Sequence, residues 1–332
     1  MNRNASRVRL LALLVLGPLA ALAASDFLIA RSTPLWTWVV REFPRRLDDG
    51  YLGEALLRTL PPGRDNVLLL GNSRADDSID TAVLERRFAS RGLHFHNLTV
   101  AGSGMVDQAM RAREIAKLEP GVVIAMADAA ALRPDGWLEE TFAYDAPAAL
   151  EIFTLRDLLS EPGFHTAGLA GQLHVLARHR SSLQSTLLVA LGRQTFVGLR
   201  LELIQRAAAT LGPRAGENPL VGWMKSRNQD PYPNANTRAL ELLARRMRAA
   251  GTRLVVVEAP NHPILLAPGV QPRVARFREF VRALSVEHGF AFVEATQLRP
   301  LDVQHFNDLI HVNGDGRALF TATLGDALDG VL

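Results

Sequence analysis

The stretch from Asn66 to Arg74 reads NVLLLGNSR, and it decides how the rest of the chain is interpreted. Its apolar run, Val67 to Leu70, stops at Gly71 and gives way to polar residues. Short apolar runs bounded by turn residues are typical of strands buried on both faces. The stretch therefore predicts a core strand over 66–70. It also predicts a turn that presents the hydroxyl of Ser73 at the carboxyl end of that strand, where open α/β sheets form their ligand crevice.

Predicted strands alternate with predicted helices on both sides of a long interruption. Strands are also predicted at 94–100, 121–126, 253–258 and 290–294, and helices at 79–91, 106–118, 237–250, 274–288 and 316–328. Apolar strands that alternate with helices indicate a parallel sheet covered on both faces. We therefore expect an α/β fold, a three-layer α/β/α sandwich with a mostly parallel sheet, over residues 65–332. The interruption at about 133–236 is interpreted as a helical insertion into this domain.

The composition excludes several classes of protein. The chain has 332 residues, of which 48% are hydrophobic and 21% charged, and its net charge is +3. These values exclude a disordered chain and a polytopic membrane protein, and they give no indication of nucleic-acid binding. The chain has no cysteine, which excludes disulfides, iron–sulfur clusters and a cysteine nucleophile. The histidines show no metal-ligand spacing, so neither a metal nor another cofactor is expected.

The first thirty residues have the layout of an export signal. Arg3, Arg7 and Arg9 precede an apolar stretch over 10–24 that contains small residues at its end. Extended to Ala30, the stretch approaches the roughly 20 residues that span a bilayer. Residues 1–30 are thus expected to be a signal peptide or a signal anchor, and 31–64 a juxtamembrane helix and linker. The expected location is the bacterial inner membrane, as a single-pass protein with its domain in the periplasm, or the periplasm itself after cleavage.

Two separated motifs could form a catalytic site. A serine hydroxyl needs a base within hydrogen-bond reach to act as a nucleophile. Near the other end of the chain, Asp308-Leu309-Ile310-His311 places a carboxylate three residues before an imidazole. Such a carboxylate can bind Nδ1 while Nε2 faces the serine. Taken singly, Ser73 could be a helix cap and the other two residues surface groups. Taken together, they favour a catalytic set of Ser73, His311 and Asp308.

The order of these motifs resembles that of the SGNH (GDSL-type) hydrolase superfamily: GNSR after the first strand, Gly102 after the second, and DLIH before the last helix. The resemblance covers about 65–132 and 237–332, and FNDLIHVNGDGRALFT is its most specific part. It implies that Ser73 is the nucleophile, His311 the general base and Asp308 its orienting acid. It also implies an oxyanion hole made by the backbone N–H groups of Ser73 or Arg74 and of Gly102.

The chain departs from the family pattern at two positions. Asn72 stands where the family often has Asp. Asp128 stands in a block where the family usually has Gly-x-Asn-Asp, whose Asn completes the oxyanion hole. An ionised carboxylate aimed at an oxyanion would repel it, and loss of one donor costs about 3–4 kcal/mol. Either Arg74 or Asn261 substitutes as a donor, or Asp128 faces elsewhere, or the site is slow or inactive.

Three further interpretations follow from these motifs. Asn72, Asp128, Asn261 and His262 are candidate substrate contacts, because all four lie at predicted carboxyl ends of strands. The segment from Gly102 to Asp107 partly matches a dinucleotide-binding fingerprint, but Asp107 replaces its third glycine. A tight turn explains the two remaining glycines more simply.

The function implied by the resemblance is that of an envelope-facing serine esterase or O-acyltransferase. Its substrate would be an acylated cell-surface or exported polysaccharide, and its intermediate an acyl-serine. The chain resembles proteins of alginate acetylation and teichoic-acid D-alanylation, which implies a membrane-bound O-acyltransferase as a possible partner. The alternative is a catalytically weak or inactive SGNH-like accessory protein that binds glycan or that partner.

Overall fold

The computed structural model describes residues 56–132, 146–154, 232–266 and 269–332, with a few isolated positions before residue 35. No helix among these residues is long and apolar enough to cross a membrane. The expected signal or anchor segment over 1–30 lies almost entirely outside the described residues. So do most of the linker over 31–64 and most of the insertion over 133–236.

The centre of the fold is a five-stranded sheet in which neighbouring strands are parallel. Its strands are β1 (Asn66–Leu70), β2 (His94–Asn97), β3 (Val122–Ala127), β4 (Arg253–Glu258) and β5 (Ala291–Val293). Their order across the sheet is β2-β1-β3-β4-β5. The connection from β2 to β3 crosses β1, so the winding reverses between β1 and β3. Doubly wound sheets bind ligands at the carboxyl ends of strands beside such a switch point.

Helices cover both faces of the sheet. They are α1 (Ser73–Ser78), α2 (Thr81–Arg87), α3 (Met105–Met110), α4 (Ala112–Lys117), α5 (Ala146–Ile152), α6 (Ala235–Ala249), α7 (Gln271–His288) and α8 (Gly314–Asp329). Alternate strand residues face two separate cores, as the two-residue period of a strand requires. Leu68 and Val123 pack in the core formed with α3 to α7. Leu69 and Ile124 pack in the core formed with α1, α2 and α8. The predicted parallel sheet with helices on both faces is confirmed.

Several elements differ from their predicted bounds. The second strand ends at Asn97 rather than at 100, because the Asn97 side chain accepts hydrogen bonds from the backbone and hydroxyl of Thr99 and turns the chain. The helix expected over 106–118 is divided into α3 and α4 at Arg111. The helix expected over 79–91 ends at Arg87 and is followed by a 3-10 turn. A short helix, α1, begins directly at Ser73, where a turn was predicted.

One described piece of the expected insertion packs into the main core. The side chains of Ala148 and Ile152 on α5 are fully buried in the core that contains α6. On the outer side of the same helix, Glu151 pairs with Arg245 of α6 at 2.8 Å. This part of the chain is therefore continuous with the α/β domain.

Candidate active site

The turn after β1 places Ser73 at the edge of the sheet. Asn72 is the N-cap of α1, and its side-chain oxygen accepts a hydrogen bond from the backbone N–H of Arg74 at 3.0 Å. Gly71 is required by a close approach, since a Cβ added there would lie 2.4 Å from the Cβ of Ala75. Because Asn72 caps the helix, the hydroxyl of Ser73 is available for another partner.

That partner is His311. The Oγ of Ser73 and the Nε2 of His311 are 3.0 Å apart, although 238 positions separate the two residues in the chain. On the other side of the imidazole, Nδ1 lies 2.8 Å from Oδ2 of Asp308. The structure thus brings Ser73, His311 and Asp308 into one continuous chain of hydrogen bonds. This is the geometry that allows a serine to transfer its proton to an imidazole held by a carboxylate.

The loop that carries Asp308 and His311 is fixed by its own backbone. The Oδ1 of Asp308 accepts hydrogen bonds from the backbone N–H groups of Ile310 and His311, each at 2.8 Å. An antiparallel bridge between Phe306 and Val312 closes the loop at its base. Hydrogen bonds within this loop therefore hold the carboxylate and the imidazole in their relative orientation.

The environment of Asp308 favours its charged form. Partial burial raises its pKa, but the hydrogen bond from the His311 ring and the two backbone N–H groups outweigh this and lower the pKa to about 2. The carboxylate is consequently ionised at neutral pH. An ionised carboxylate accepts from Nδ1–H, so the neutral imidazole carries its lone pair on Nε2, facing Ser73.

The glycine turn that follows β2 lies against the turn that carries Ser73. The carbonyl oxygen of Gly71 accepts from the backbone N–H of Val100 at 2.8 Å and from the hydroxyl of Ser103 at 3.1 Å. Between these two donors, Gly102 has a φ of 77°, a left-handed conformation that glycine adopts without strain. In the described part of the chain, neither Ser73 nor Gly102 donates its backbone N–H to a protein acceptor. The backbone N–H of Arg74 differs, because Asn72 already occupies it.

Asp128 at the end of β3 is paired with Arg74, the residue that follows Ser73. Its Oδ2 lies 2.8 Å from Nη1 of Arg74, and both side chains are almost completely buried. Its Oδ1 accepts from the backbone N–H groups of Ala130 and Ala131 at 2.6 and 2.9 Å. The guanidinium thus balances the charge of the Asp128 carboxylate, which also caps the following turn. This geometry matches one of the alternatives left open by the sequence, namely that Asp128 faces a group other than an oxyanion.

Asn261 and His262 lie beyond the end of β4, and each has a local partner. The Asn261 amide donates to the carboxylate of Glu258 at 2.7 Å. The Nδ1 of His262 accepts from the backbone N–H of Ile264 at 3.2 Å, and its ring meets the Phe306 ring edge-on at 5.0 Å. Burial lowers the pKa of His262, and the Asp308 carboxylate opposes this only in part. None of their hydrogen bonds reaches Ser73.

Two supporting features were not anticipated from the sequence. The Glu258 carboxylate, 1% exposed, receives two hydrogen bonds from Arg278 and one from the backbone N–H of Ala295, besides that of Asn261. Beneath the loop that carries Asp308 and His311, Leu265 and Val270 form a small apolar cluster on which Leu309 and Ile310 pack. The only sequence signal for the Glu258 cluster was an acidic residue at the end of a strand. The apolar cluster joins residues that are too distant in the chain for a sequence pattern to match them.

A cavity of about 240 Å³ opens beside this edge of the sheet. Its wall is mainly apolar and includes Leu298, Leu301 and Phe320, with Asn261 and Arg299 among its polar residues. Ser73 and His311 are not part of its lining, so it is separate from the hydrogen-bonded set.

The described residues give no site for a metal or a dinucleotide. No group of three or more His, Asp or Glu side chains among them could hold a metal ion. At the start of α3, the Asp107 carboxylate accepts from the backbone N–H of Gly104, which places a negative charge where a pyrophosphate would have to bind. The tight-turn interpretation of the two glycines agrees with this arrangement.

No protein-family model matches the chain, and no curated protein matches it. Twenty-seven chains of solved structures do match. One is TesA, 12% identical, with 80% of this chain and 99% of TesA covered and a TM-score of 0.40. Another is a GDSL-like lipase from Bacteroides thetaiotaomicron, also 12% identical, with coverages of 91% and 100% and a TM-score of 0.39.

A third similar structure is Axe2, an acetylxylan esterase from Geobacillus stearothermophilus. It is 11% identical, with 80% of this chain and 94% of Axe2 covered and a TM-score of 0.39. At these identities and TM-scores, the function has to be inferred from the residues of this chain itself.

Proposed function

We propose that the protein is a serine hydrolase of the SGNH type that cleaves acyl esters through an acyl-serine intermediate. The observation that carries the proposal is the unbroken path from Ser73 Oγ through the His311 imidazole to the Asp308 carboxylate, at 3.0 and 2.8 Å. The low pKa of Asp308 supports it, because an ionised carboxylate stabilises the imidazolium that forms during attack.

In the first half of the reaction, Ser73 Oγ forms a bond to the acyl carbon of the ester and passes its proton to Nε2 of His311. The electron pair of the carbonyl moves to its oxygen, which accepts hydrogen bonds from the backbone N–H groups of Ser73 and Gly102. Collapse of this intermediate breaks the bond to the leaving oxygen, which takes the proton from Nε2. The acyl group remains on Ser73, and an alcohol is released.

In the second half, Nε2 of His311 accepts a proton from the group that attacks the acyl carbon. The bond from Ser73 Oγ to that carbon then breaks, and Oγ takes the proton back from Nε2. If that group is water, the product is a carboxylic acid and the protein is an esterase. If it is a sugar hydroxyl, the acyl group is transferred and the protein is an O-acyltransferase. The same three side chains perform both reactions, and access of an acceptor to the acyl-serine decides between them.

The environment of Asp128 bears on the alternative of an inactive accessory protein. That alternative depended on a negative charge at the oxyanion site. The ion pair with Arg74 offsets this charge, and the capping bonds to Ala130 and Ala131 direct the carboxylate into its own turn. The arrangement supports an enzyme over the accessory role.

The biological setting is part of the proposal. An export signal or anchor over 1–30 would place the domain in the periplasm, attached to the inner membrane if the segment is retained. The resemblance to polysaccharide O-acylation proteins suggests an acylated envelope polysaccharide as substrate and a membrane-bound O-acyltransferase as partner. Asn72, Asn261 and His262 remain candidate substrate contacts at the same sheet edge.

The proposal can be tested by reacting the full-length protein with a fluorophosphonate and locating the adduct by mass spectrometry. We expect a single adduct at Ser73, and its loss in Ser73→Ala. His311→Ala should slow labelling by about a thousandfold or more, since an isolated serine hydroxyl is a weak nucleophile.

Ser285→Ala is the matched control, because Ser285 lies on α7 and its hydroxyl donates to the Arg282 carbonyl of its own helix. It should be labelled at the wild-type rate. Folded wild-type protein that gives no adduct at Ser73 would exclude the enzymatic proposal and favour the accessory role.

A further inference from the structure

The side chain of Arg74 connects the ends of three neighbouring strands. Arg74 itself follows β1 and Ser73. Its Nη1 binds the Asp128 carboxylate after β3 at 2.8 Å, and its Nη2 donates to the carbonyl oxygen of Pro260, just beyond β4. The guanidinium therefore spans the switch point of the sheet, where the winding reverses between β1 and β3.

This connection is made in a buried environment. Arg74 is 5% exposed and Asp128 is 3% exposed. A charge pair that is removed from water costs more in desolvation than it returns unless its geometry is good, so such pairs are weak contributors to stability compared with apolar packing. In addition, the Nε of Arg74 is buried without a hydrogen-bond partner among the described residues. Stability alone is a poor explanation for a guanidinium at this position.

We propose that Arg74 is a positioning residue that fixes the nucleophile turn for reaction. The inference rests on the proposed function, because it assigns Arg74 a role in that same site. Two opposed anchors, one after β3 and one after β4, prevent the side chain and its backbone from rotating. Since Ser73 is the adjacent residue, the same restraint fixes the direction of its hydroxyl towards His311 and of its backbone N–H towards the acyl oxygen.

The effect should appear in the rate of the chemical step. A displacement of about 1 Å at a reacting group can lower a rate by about a hundredfold. Arg74→Met removes both anchors while keeping a long apolar side chain. We expect about a hundredfold slower fluorophosphonate labelling, and a loss in kcat rather than a rise in KM for p-nitrophenyl acetate.

Arg74→Lys should recover part of the rate. Its single ammonium keeps the charge, but it lacks the planar fork that reaches Asp128 and Pro260 together. The matched control is Arg273→Met. Arg273 is also a buried arginine, and it donates twice to the Ala129 carbonyl, next to Asp128. This control should lower stability without slowing the labelling of Ser73.

A double variant that replaces both Arg74 and Asp128 tests the inference if Arg74→Met does not fold. The double variant Arg74→Met with Asp128→Asn removes both buried charges but keeps the side-chain oxygen that caps Ala130 and Ala131. It therefore avoids the unpaired buried charge that a single replacement leaves. We expect it to fold and still to label slowly. A folded double variant that labels at the wild-type rate would overturn the inference.

A spectroscopic readout separates this inference from the proposed function. The ¹⁵N chemical shift of His311 Nε2 reports whether that atom accepts a hydrogen bond from Ser73, with Ser73→Ala as the reference for its absence. In Arg74→Met the shift should move towards that of Ser73→Ala. An unchanged shift would contradict the positioning role. Absence of labelling in the wild type would contradict only the proposed hydrolase, since the shift is measured without any substrate.

Discussion

The Asp308 carboxylate binds the imidazole of His311 at 2.8 Å within a loop that also supplies it with two backbone N–H donors. In the proposed mechanism, the orienting acid and the base thus form one local unit, and the serine comes from a distant part of the chain. Replacement of Asp308 should therefore act on the tautomer of His311 and leave the rest of the fold in place.

For Asp308→Asn we expect a loss of about 10³–10⁴ in the rate of Ser73 labelling. The amide keeps the size of the side chain, but it can donate to Nδ1 and so stabilise the tautomer with its proton on Nε2, which cannot accept from Ser73. The rate is measured with a fluorophosphonate at neutral pH. A variant that retains the wild-type rate would show that Asp308 does not orient the base.

The low pKa of Asp308 also predicts how its contribution to stability depends on pH. Its pKa is about 2 in the folded protein, against 3.8 as the usual value. A pKa lowered by folding stabilises the protein fully above the unfolded value, and this stabilisation is lost as the pH falls through the folded value. The difference in unfolding free energy between wild type and Asp308→Asn should therefore stay constant down to about pH 4 and diminish towards pH 2. Urea denaturation of both proteins across this range measures it, and a difference already declining near neutral pH would contradict the assignment.

Glu258 should be important for stability. Glu258→Gln removes the charge opposite Arg278 at a site that is 1% exposed, and breaking a buried pair in this way should cost about 3 kcal/mol in the free energy of unfolding. Glu151→Gln is the control, because its pair with Arg245 is exposed and should contribute about 1 kcal/mol or less. Equal losses in the two variants would show that burial does not distinguish them.

Gly71→Ala should disturb the nucleophile turn directly. The added Cβ would lie 2.4 Å from that of Ala75, so the turn or α1 must shift, at a cost of about 1–3 kcal/mol. We expect a lower free energy of unfolding together with slower labelling of Ser73. Gly314→Ala is the control, because its Cβ would meet nothing within 4 Å. Slower labelling in both variants would argue against a local effect at the turn.

Leu265 supports the catalytic loop from below. Leu265→Ala should destabilise the protein by about 2–5 kcal/mol and slow labelling, since Leu309 and Ile310 lose the residue against which they pack. Ile264→Ala is the neighbouring control on an exposed side chain, with an expected change in unfolding free energy within about 0.5 kcal/mol. A normal labelling rate in folded Leu265→Ala would show that the loop holds its geometry by its own hydrogen bonds.

Strands with continuous apolar runs were predicted well from the sequence. The strand Arg253–Glu258 has its predicted bounds because Gly251 and Pro260 enclose an uninterrupted run. The division of a helix at Arg111 was not predicted, since the apolar period is the same on both sides of it. Helix α1 begins at Ser73 because Asn72 is its cap, whereas the sequence had suggested Ser73 itself as a possible cap.

Some residues of the candidate site could be predicted from the sequence, and others could not. Ser73, Asp308 and His311 could be proposed because strand ends and a local Asp-x-x-His spacing are visible in one dimension. The pairing of Arg74 with Asp128 was not predicted, since it depends on which strands lie side by side. The order β2-β1-β3-β4-β5 makes the ends of β1, β3 and β4 neighbours, and so brings the guanidinium of Arg74 next to its two anchors, Asp128 and Pro260.

The separation of 238 positions between Ser73 and His311 has a consequence for biosynthesis. A nascent chain that has already formed the strand before Ser73 carries a serine without a base until residues 306–312 have emerged and their loop has closed. A chain that ends before residue 306 would therefore keep Ser73 at its turn but lack the imidazole that lies 3.0 Å from its hydroxyl. Under the proposed mechanism, such a fragment would not form an acyl-serine at a useful rate.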